Sequence, residues 1–488
     1  MIPVLLIVIP LLSGLLGFFM KQEKLAKGWS LLSSLITMAV AISAYFTKDV
    51  TLLRSTHEWI PLMGSNFSVS VVDGMGRMLA ILTGISFPLI FLATYNTNYT
   101  NGNRFHALML LSQAGLMGVF VATDAMLFYF FWELALIPTY FLCSIWGGEK
   151  RIAVTFKFFI YTFIGSLLML VGIIYLYYLT PDHSFALQAF YDLKLNNDQQ
   201  GWLFWLFFIA FAIKMPIFPF HTWQPDAYEQ APTATTMVLS GIMVKMGVFA
   251  MLRWLIPIFP AAFWSWGDFI SFLGMFGIVY ASLLAMQQDD LKKLVAYSSI
   301  AHIGLMVLAL VSTTDSGIQG VMIQMFNHGI NIIGMWVVVA LTERQFGTRK
   351  ISELGGIAQK APALTILLVV IAFANIGLPL TNAFIGEFLM FTGVFTSNVS
   401  QFNYIYTAVA GLGIILAAVY TLNMIQKVFF GNTNSITANG VDISFTEKLA
   451  LSVLVIIILV VGVHPQPILD LTNDTTLSIL NKMITKHP

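Results

Sequence analysis

Four formally charged side chains interrupt otherwise apolar stretches of this sequence. Glu133 lies in Phe128-Tyr129-Phe130-Phe131-Trp132-Glu133-Leu134, and Lys214 stands just before Met215-Pro216. Lys245 lies in Ile242-Met243-Val244-Lys245-Met246-Gly247, and Glu387 follows Phe384-Ile385-Gly386. A charge held in hydrocarbon costs ~2.5–3.5 kcal/mol on insertion scales, and such residues usually mark an ion pathway. Two acids and two bases offset much of that cost by pairing. Pairing also couples their proton affinities, since moving or protonating one partner changes the other. His302 and His328, in neighbouring apolar stretches, add two imidazoles that titrate near neutrality and suit a relay. Gln324, Asn327 and Asn331 extend the polar face that carries His328. Lys157 and Tyr161 read either as further members or as side chains reaching to an interface. His221 and Asp226 read as a cap or a water-access gate, with the cap favoured. The alternative for the whole set is a group of structural ion pairs fastening helices together.

Composition says what surrounds these groups. Of 488 residues, 58% are hydrophobic and only 10% charged, against roughly 25% charged in a soluble domain. A net charge of +1 offers no basic face for nucleic acid. The single cysteine, Cys143, excludes disulfides and thiolate metal cages. No glycine-rich nucleotide-binding pattern occurs, so redox cofactors, if any take part, belong to other chains. The 41 phenylalanines read as core and lipid-facing packing.

The positioning elements are membrane spans. Apolar runs of about 20 residues suffice to cross the hydrocarbon. They fall at 2–20, 28–47, 75–95, 106–122, 125–147, 154–179, 202–222, 232–256, 264–286, 292–312, 317–342, 361–397, 403–429 and 446–464, which makes fourteen. The start at Met1-Ile2-Pro3 has no basic region and reads as the first span rather than a removable signal. Two spans read as broken helices: the seventh at Pro216 and Pro219, and the twelfth at Asn375-Ile376-Gly377-Leu378-Pro379. Freed backbone groups are tolerated only where they face protein or water, so both breaks point inward.

Loops after odd-numbered spans carry fifteen Lys and Arg, and those after even-numbered spans carry four. Odd loops are therefore expected on the cytoplasmic side and both termini on the other. Breaks five spans apart imply an inverted duplication, a transporter pattern. The expected fold is an all-α, polytopic membrane protein of about 14 transmembrane helices with two inverted five-helix repeats. Residues 1–105 form an N-terminal three-helix segment, 106–256 the first repeat (spans four to eight), 264–429 the second (spans nine to thirteen), and 430–488 a C-terminal helix and tail.

Several segments carry a family resemblance. FWELALIPTYFL, WGGEKRIAVTFKFFIYTFIGSLLML, KMPIFPFHTWQPDAYEQAPT, LKKLVAYSSIAHIG, FNHGINI and GLPLTNAFIGEF resemble the proton-translocating antiporter-like subunits of respiratory complex I, over about residues 70 to 430. Glu387 is similar to the chain M branch of the bacterial NADH-quinone oxidoreductases, where chains L and N and the sodium/proton antiporters carry Lys. The sequence also ends soon after the fourteenth span, without the long lateral helix of chain L. The resemblance implies a pair Glu133–Lys214, a central proton site at Lys245, relays at His302 and His328, and a terminal site at Glu387. The short Met-Ile-Pro start and free use of Asn and Lys suggest a bacterial rather than organellar source, and with the loop charges an inner-membrane location with both termini periplasmic. By the resemblance, the chain's partners would be the other membrane subunits, chains L and N in particular, with NADH, FMN, iron–sulfur clusters and quinone all in partner subunits. A subunit of a multisubunit cation/proton antiporter without a redox partner is the alternative.

Overall fold

In hydrocarbon a backbone must satisfy its own hydrogen bonds, and long runs of Leu, Ile, Val, Phe and Ala do so as helices. The computed structural model describes residues 1–485. At the first six expected spans stand α1 (Ile2–Gly17), α2 (Glu23–Phe46), α3 (Gly74–Ala93), α4 (Gly102–Val121), α5 (Ala125–Trp146) and α6 (Arg151–Leu179). The seventh is broken into α7 (Asn197–Lys214) and α8 (Gln224–Gln230). Then come α9 (Thr233–Leu255), α10 (Pro260–Met286), α11 (Leu291–Val311) and α12 (Asp315–Phe346). The twelfth span is broken into α13 (Pro362–Ile376) and α14 (Asn382–Phe395). The chain continues through α15 (Asn403–Phe429), α16 (Phe445–Val463) and α17 (Gln466–Thr485).

Among the described residues, eleven helices are long and apolar enough to cross a membrane. The other three expected spans are the short α1 and the two broken ones. The core is a central group of helices, with α9 wholly buried and α12 and α11 nearly so. Outward faces of the peripheral helices carry Leu, Ile and Phe, as on Phe130, Ile137 and Phe141 of α5.

Two elements were not expected. Residues read as a loop form a hairpin, β1 (Arg54–Ile60) paired antiparallel with β2 (Ser65–Ser70) in the register Arg54↔Ser70 and Thr56↔Ser68. Gly64 closes its turn at φ +67°, a left-handed conformation. The hairpin is tied to the membrane domain by Asp124, the N-cap of α5. Its carboxylate accepts from Ser65 Oγ at 3.1 Å and from the backbone N–H groups of Asn66, Met126 and Leu127, each at 3.0 Å. The other is in the tail, where residues 466–485 form a helix beyond the last expected span. α17 packs on the start of α3, where Gly74 N–H donates to Thr475 Oγ1 at 3.0 Å. A Cβ at Gly74 would fall 1.7 Å from Leu471 O, so only glycine admits this approach.

Loops after odd-numbered spans meet at one end of the bundle, the basic face, and loops after even-numbered spans at the other, the hairpin face. The basic face holds a cavity of about 720 Å³ rimmed by a network of ion pairs. There Arg349 pairs with Asp290, with Glu343 at 2.9 Å and with Glu229 at 3.3 Å, while Lys293 reaches Glu229 at 3.1 Å and Lys292 reaches Glu343 at 3.3 Å.

Candidate functional site

The six sequence-derived residues fall into two groups, one continuous and one loosely associated. The continuous group runs across the centre. Lys245, fully buried on α9, donates to Ser240 O at 2.8 Å and lies 2.8 Å from His328 Nδ1 on α12. The His328 and His302 rings are 5.4 Å apart between centroids. His302 Nδ1 on α11 lies 3.5 Å from Glu387 Oε1 on α14. An ammonium, two imidazoles and a carboxylate thus stand in series, each within reach of the next directly or through one bridging group.

Small residues let the helices approach closely enough for this. α9 and α12 cross where a Cβ at Gly329, next to His328, would lie 3.0 Å from the carbonyl oxygen of Gly241, four residues before Lys245. α9 itself departs from α-helical geometry on both sides of Lys245, with π-helical turns at Leu239–Met243 and Met251–Leu255. Such bulges are rare and concentrate at functional sites. The bulge at 239–243 leaves Ser240 O available to the lysine.

The second break positions Glu387. Gly377 closes α13 at φ +78°, and its missing side chain makes room for the carboxylate: a Cβ there would meet Glu387 Oε2 at 2.3 Å. The polar face of α12 holds the break open. Asn331 Nδ2 donates to Ala374 O at 3.3 Å, which also accepts from Gly377 N–H at 3.1 Å, and Asn327 Nδ2 donates to Asn382 O at 2.7 Å, bracing the break from either side. These asparagines therefore act as backbone supports. Gln324 packs against Gly386 instead.

The other group is Glu133 and Lys214. Lys214 ends α7 at the first break, with its ammonium 5.5 Å over the Trp132 ring. Trp223 Nε1–H satisfies Ile213 O, freed by the break, at 3.0 Å. Lys214 Nζ and Glu133 Oε1 are buried without hydrogen-bond partners, and no ion pair joins the two among the described residues. The pairing that the resemblance implied is thus not closed here, although each group lies within the other's electrostatic reach. Glu133 sits beside the outward stripe of α5 and is only partly enclosed. The group connects to the central series through Gly247, where a Cβ would meet Met215 Cβ at 2.7 Å. This close crossing sets Lys214 and Lys245 on adjacent helices.

Lys157, Tyr161 and Asp226 form a clasp apart from the series. Lys157 Nζ pairs with Asp226 at 2.9 Å and donates to Thr222 O at 2.9 Å, while Tyr161 OH lies 3.0 Å from Thr222 Oγ1. His221 is buried between Phe218 and Tyr280.

Two further sets of polar side chains, with no distinguishing signal in the sequence, lie beside the series. Beside Glu387, Ser298 Oγ accepts from Tyr420 OH at 2.9 Å and from Asn375 Nδ2 at 3.2 Å. A cavity of about 30 Å³ lies between His302, Glu387 and Tyr420, more than the ~10–15 Å³ that one water occupies. Between Lys245 and the basic-face cavity lie the buried polar side chains of Gln224, Tyr228, Thr235 and Ser240, with Tyr228 set between Gln224 and Ser240. Gln224 and Tyr228 stand at i and i+4 in the segment after the first break, a spacing that places both on one helical face.

Known proteins share this architecture. A sequence model for the family described as NADH:quinone oxidoreductase/Mrp antiporter, transmembrane, matches residues 122–414. The chain is 36% identical to F(420)H(2) dehydrogenase subunit M of Methanosarcina mazei, covering 99% of each. It is 36% identical to NADH-quinone oxidoreductase subunit M of Rickettsia prowazekii over 98% of each, and 32% identical to that of Escherichia coli over 99% of each. A chain of respiratory complex I from Thermus thermophilus superimposes with a TM-score of 0.89 at 27% identity, over 98% of this chain and 100% of that one. A chain of the Mrp complex from Dietzia has the same fold, with a TM-score of 0.87 at 18% identity over 98% of each. The chain belongs to the NADH:quinone oxidoreductase/Mrp antiporter family of multi-pass transmembrane subunits.

Proposed function

We propose that the chain is a membrane-arm subunit of a proton-pumping NADH:quinone oxidoreductase and carries protons along Lys245, His328, His302 and Glu387. The carrying observation is the buried series itself, with an ammonium 2.8 Å from one imidazole and a carboxylate 3.5 Å from the next. A structural clamp would close its ion pairs. Here Lys214 and Glu133 are near but unjoined, as expected of a pair that opens and closes during turnover. Closing the pair would draw the Lys214 ammonium towards Glu133 and away from Lys245. That lowers the repulsion on a proton at Lys245, and opening the pair raises it. A swing in one pair thereby changes proton occupancy in the series.

The excess of Lys and Arg on the basic face supports a cytoplasmic orientation for that end. Protons would load from its cavity past Tyr228 and Ser240. Lys214 and Glu387 at the two helix breaks support the inverted-repeat reading of residues 106–256 and 264–429. Electrons would pass from NADH through FMN and iron–sulfur clusters to quinone in partner subunits, with chains L and N beside this one in a bacterial inner membrane.

The test is Glu133→Ala in the assembled complex, with proton translocation and NADH oxidation measured together. Both are expected to fall severely while assembly is kept. Full pumping in that variant would sink the proposal. Copurification of NADH-oxidising flavoprotein subunits separates it from the redox-free antiporter reading.

A further inference from the structure

Lys245 is eight residues from Arg253 on the same helix, about 12 Å at 1.5 Å per residue. Arg253 lies at the hairpin-face end of α9, in the second π-helical turn, and is 5% exposed. Its guanidinium pairs with Asp73, the residue that caps α3 by accepting from Gly76 N–H at 2.8 Å. Beyond the pair opens a cavity of about 760 Å³ lined by Asp73, Arg77, Arg253, Asp470, Asp474 and Lys482. On the inner side of the pair, one turn from Lys245, stands Phe249. Its ring lies 4.6 Å beneath the guanidinium and meets Phe120 of α4 edge-on at 5.4 Å. From the cavity inward the order along α9 is therefore solvent, ion pair, aromatic pair, lysine.

We propose that Arg253, Asp73 and Phe249 form a seal closing the direct path from Lys245 to the hairpin face, so that a proton on Lys245 leaves only sideways through His328. This rests on the pumping reading above. An arginine is suited to the task because it stays protonated and cannot take up and release a proton as a relay must. Fixed at the neck of an aqueous cavity, its positive charge also repels protons and cations, as arginines do in selective pores. Asp73 anchors the guanidinium, and buried Phe249 and Phe120 keep the layer beneath dry. Gly76 is needed for the fit: a Cβ there would lie 3.1 Å from Asp73 Oδ2 and 2.8 Å from Phe120 O. Arg253 and Asp73 are thus positioning residues that give the pathway its direction.

The test uses the whole complex in liposomes loaded with a pH-sensitive dye, without redox substrate, under an imposed pH gradient. Arg253→Gln is expected to raise passive proton flux about tenfold, the change that a barrier lowered by ~1.4 kcal/mol produces. Phe249→Ala, which leaves the ion pair in place, is expected to act in the same direction and serves where Arg253→Gln fails to assemble. Adding Lys245→Met to either should return the flux to the parent rate, because the leak runs through Lys245. Parent-rate flux in the assembled single variants overturns the seal, and so does a leak that persists without Lys245. NADH-driven pumping by Lys245→Met alone tests the pumping reading separately.

Discussion

Gly377→Ala separates the fold of the second break from its chemistry. The substitution has two consequences of different size. At φ +78° an alanine adopts a left-handed conformation, costing ~1–2 kcal/mol. Its Cβ also meets Glu387 Oε2 at 2.3 Å, so the carboxylate must retreat by roughly 1 Å to reach ordinary contact. The clash is with the end of a flexible side chain, so the fold absorbs it. The 3.5 Å approach of Glu387 to His302 does not survive it. A misplacement of ~1 Å can cost as much as ~100-fold in rate, and proton translocation is expected to fall by at least ~10-fold. Gly347→Ala is the matched control, since Gly347 has φ +69° at the end of α12 but nothing within 4 Å of its Cβ position. Both variants should lose similar thermal stability, while only Gly377→Ala loses pumping. The assay is NADH-driven acidification of proteoliposomes holding the assembled complex, normalised to NADH oxidation. Equal pumping by the two variants would refute the reasoning.

Lys245→Met should abolish pumping yet leave the thermal stability of the detergent-solubilised complex within ~1 kcal/mol of the parent, because removing a buried charge relieves desolvation as it loses contacts. A large drop in melting temperature would contradict this. Asn331→Ala removes one of two donors to Ala374 O, which keeps its bond from Gly377 N–H, and is expected to cost ~0.5–1.5 kcal/mol, read as a lowered melting temperature with reduced pumping. Gly74→Ala should lift α17 from α3, given the 1.7 Å approach to Leu471 O, and expose residues 466–485 to limited proteolysis. An unchanged digestion pattern would show that the helix docks in another way.

Much of this arrangement was legible in the sequence because membrane helices announce themselves twice, through apolar length and through the rarity of charge inside them. Glu133, Lys214, Lys245 and Glu387 stood out for that reason, and Gly377 and Pro216 marked the breaks. The hairpin did not stand out. Arg54–Ile60 is mostly exposed and has no clean alternation, and the hairpin is held to the bundle through Asp124 and Thr123. α17 was missed because it is amphipathic rather than apolar, so a search for spanning runs passes over it. The roles of Asn327 and Asn331 were half legible: their polarity was visible, but only the crossing of α12 against the break shows that they hold carbonyls. The unjoined state of Glu133 and Lys214 depends on side-chain placement at one helix contact, which no spacing rule encodes.

The knot at Asp124 has a mechanical consequence. One carboxylate grips Ser65 and Asn66 of β2 together with Met126 and Leu127 of α5. The ribbon therefore cannot be tugged without pulling the first turn of the helix that bears Glu133, two turns further along. Force applied outside the bilayer has a short, stiff lever onto the least settled charge within it.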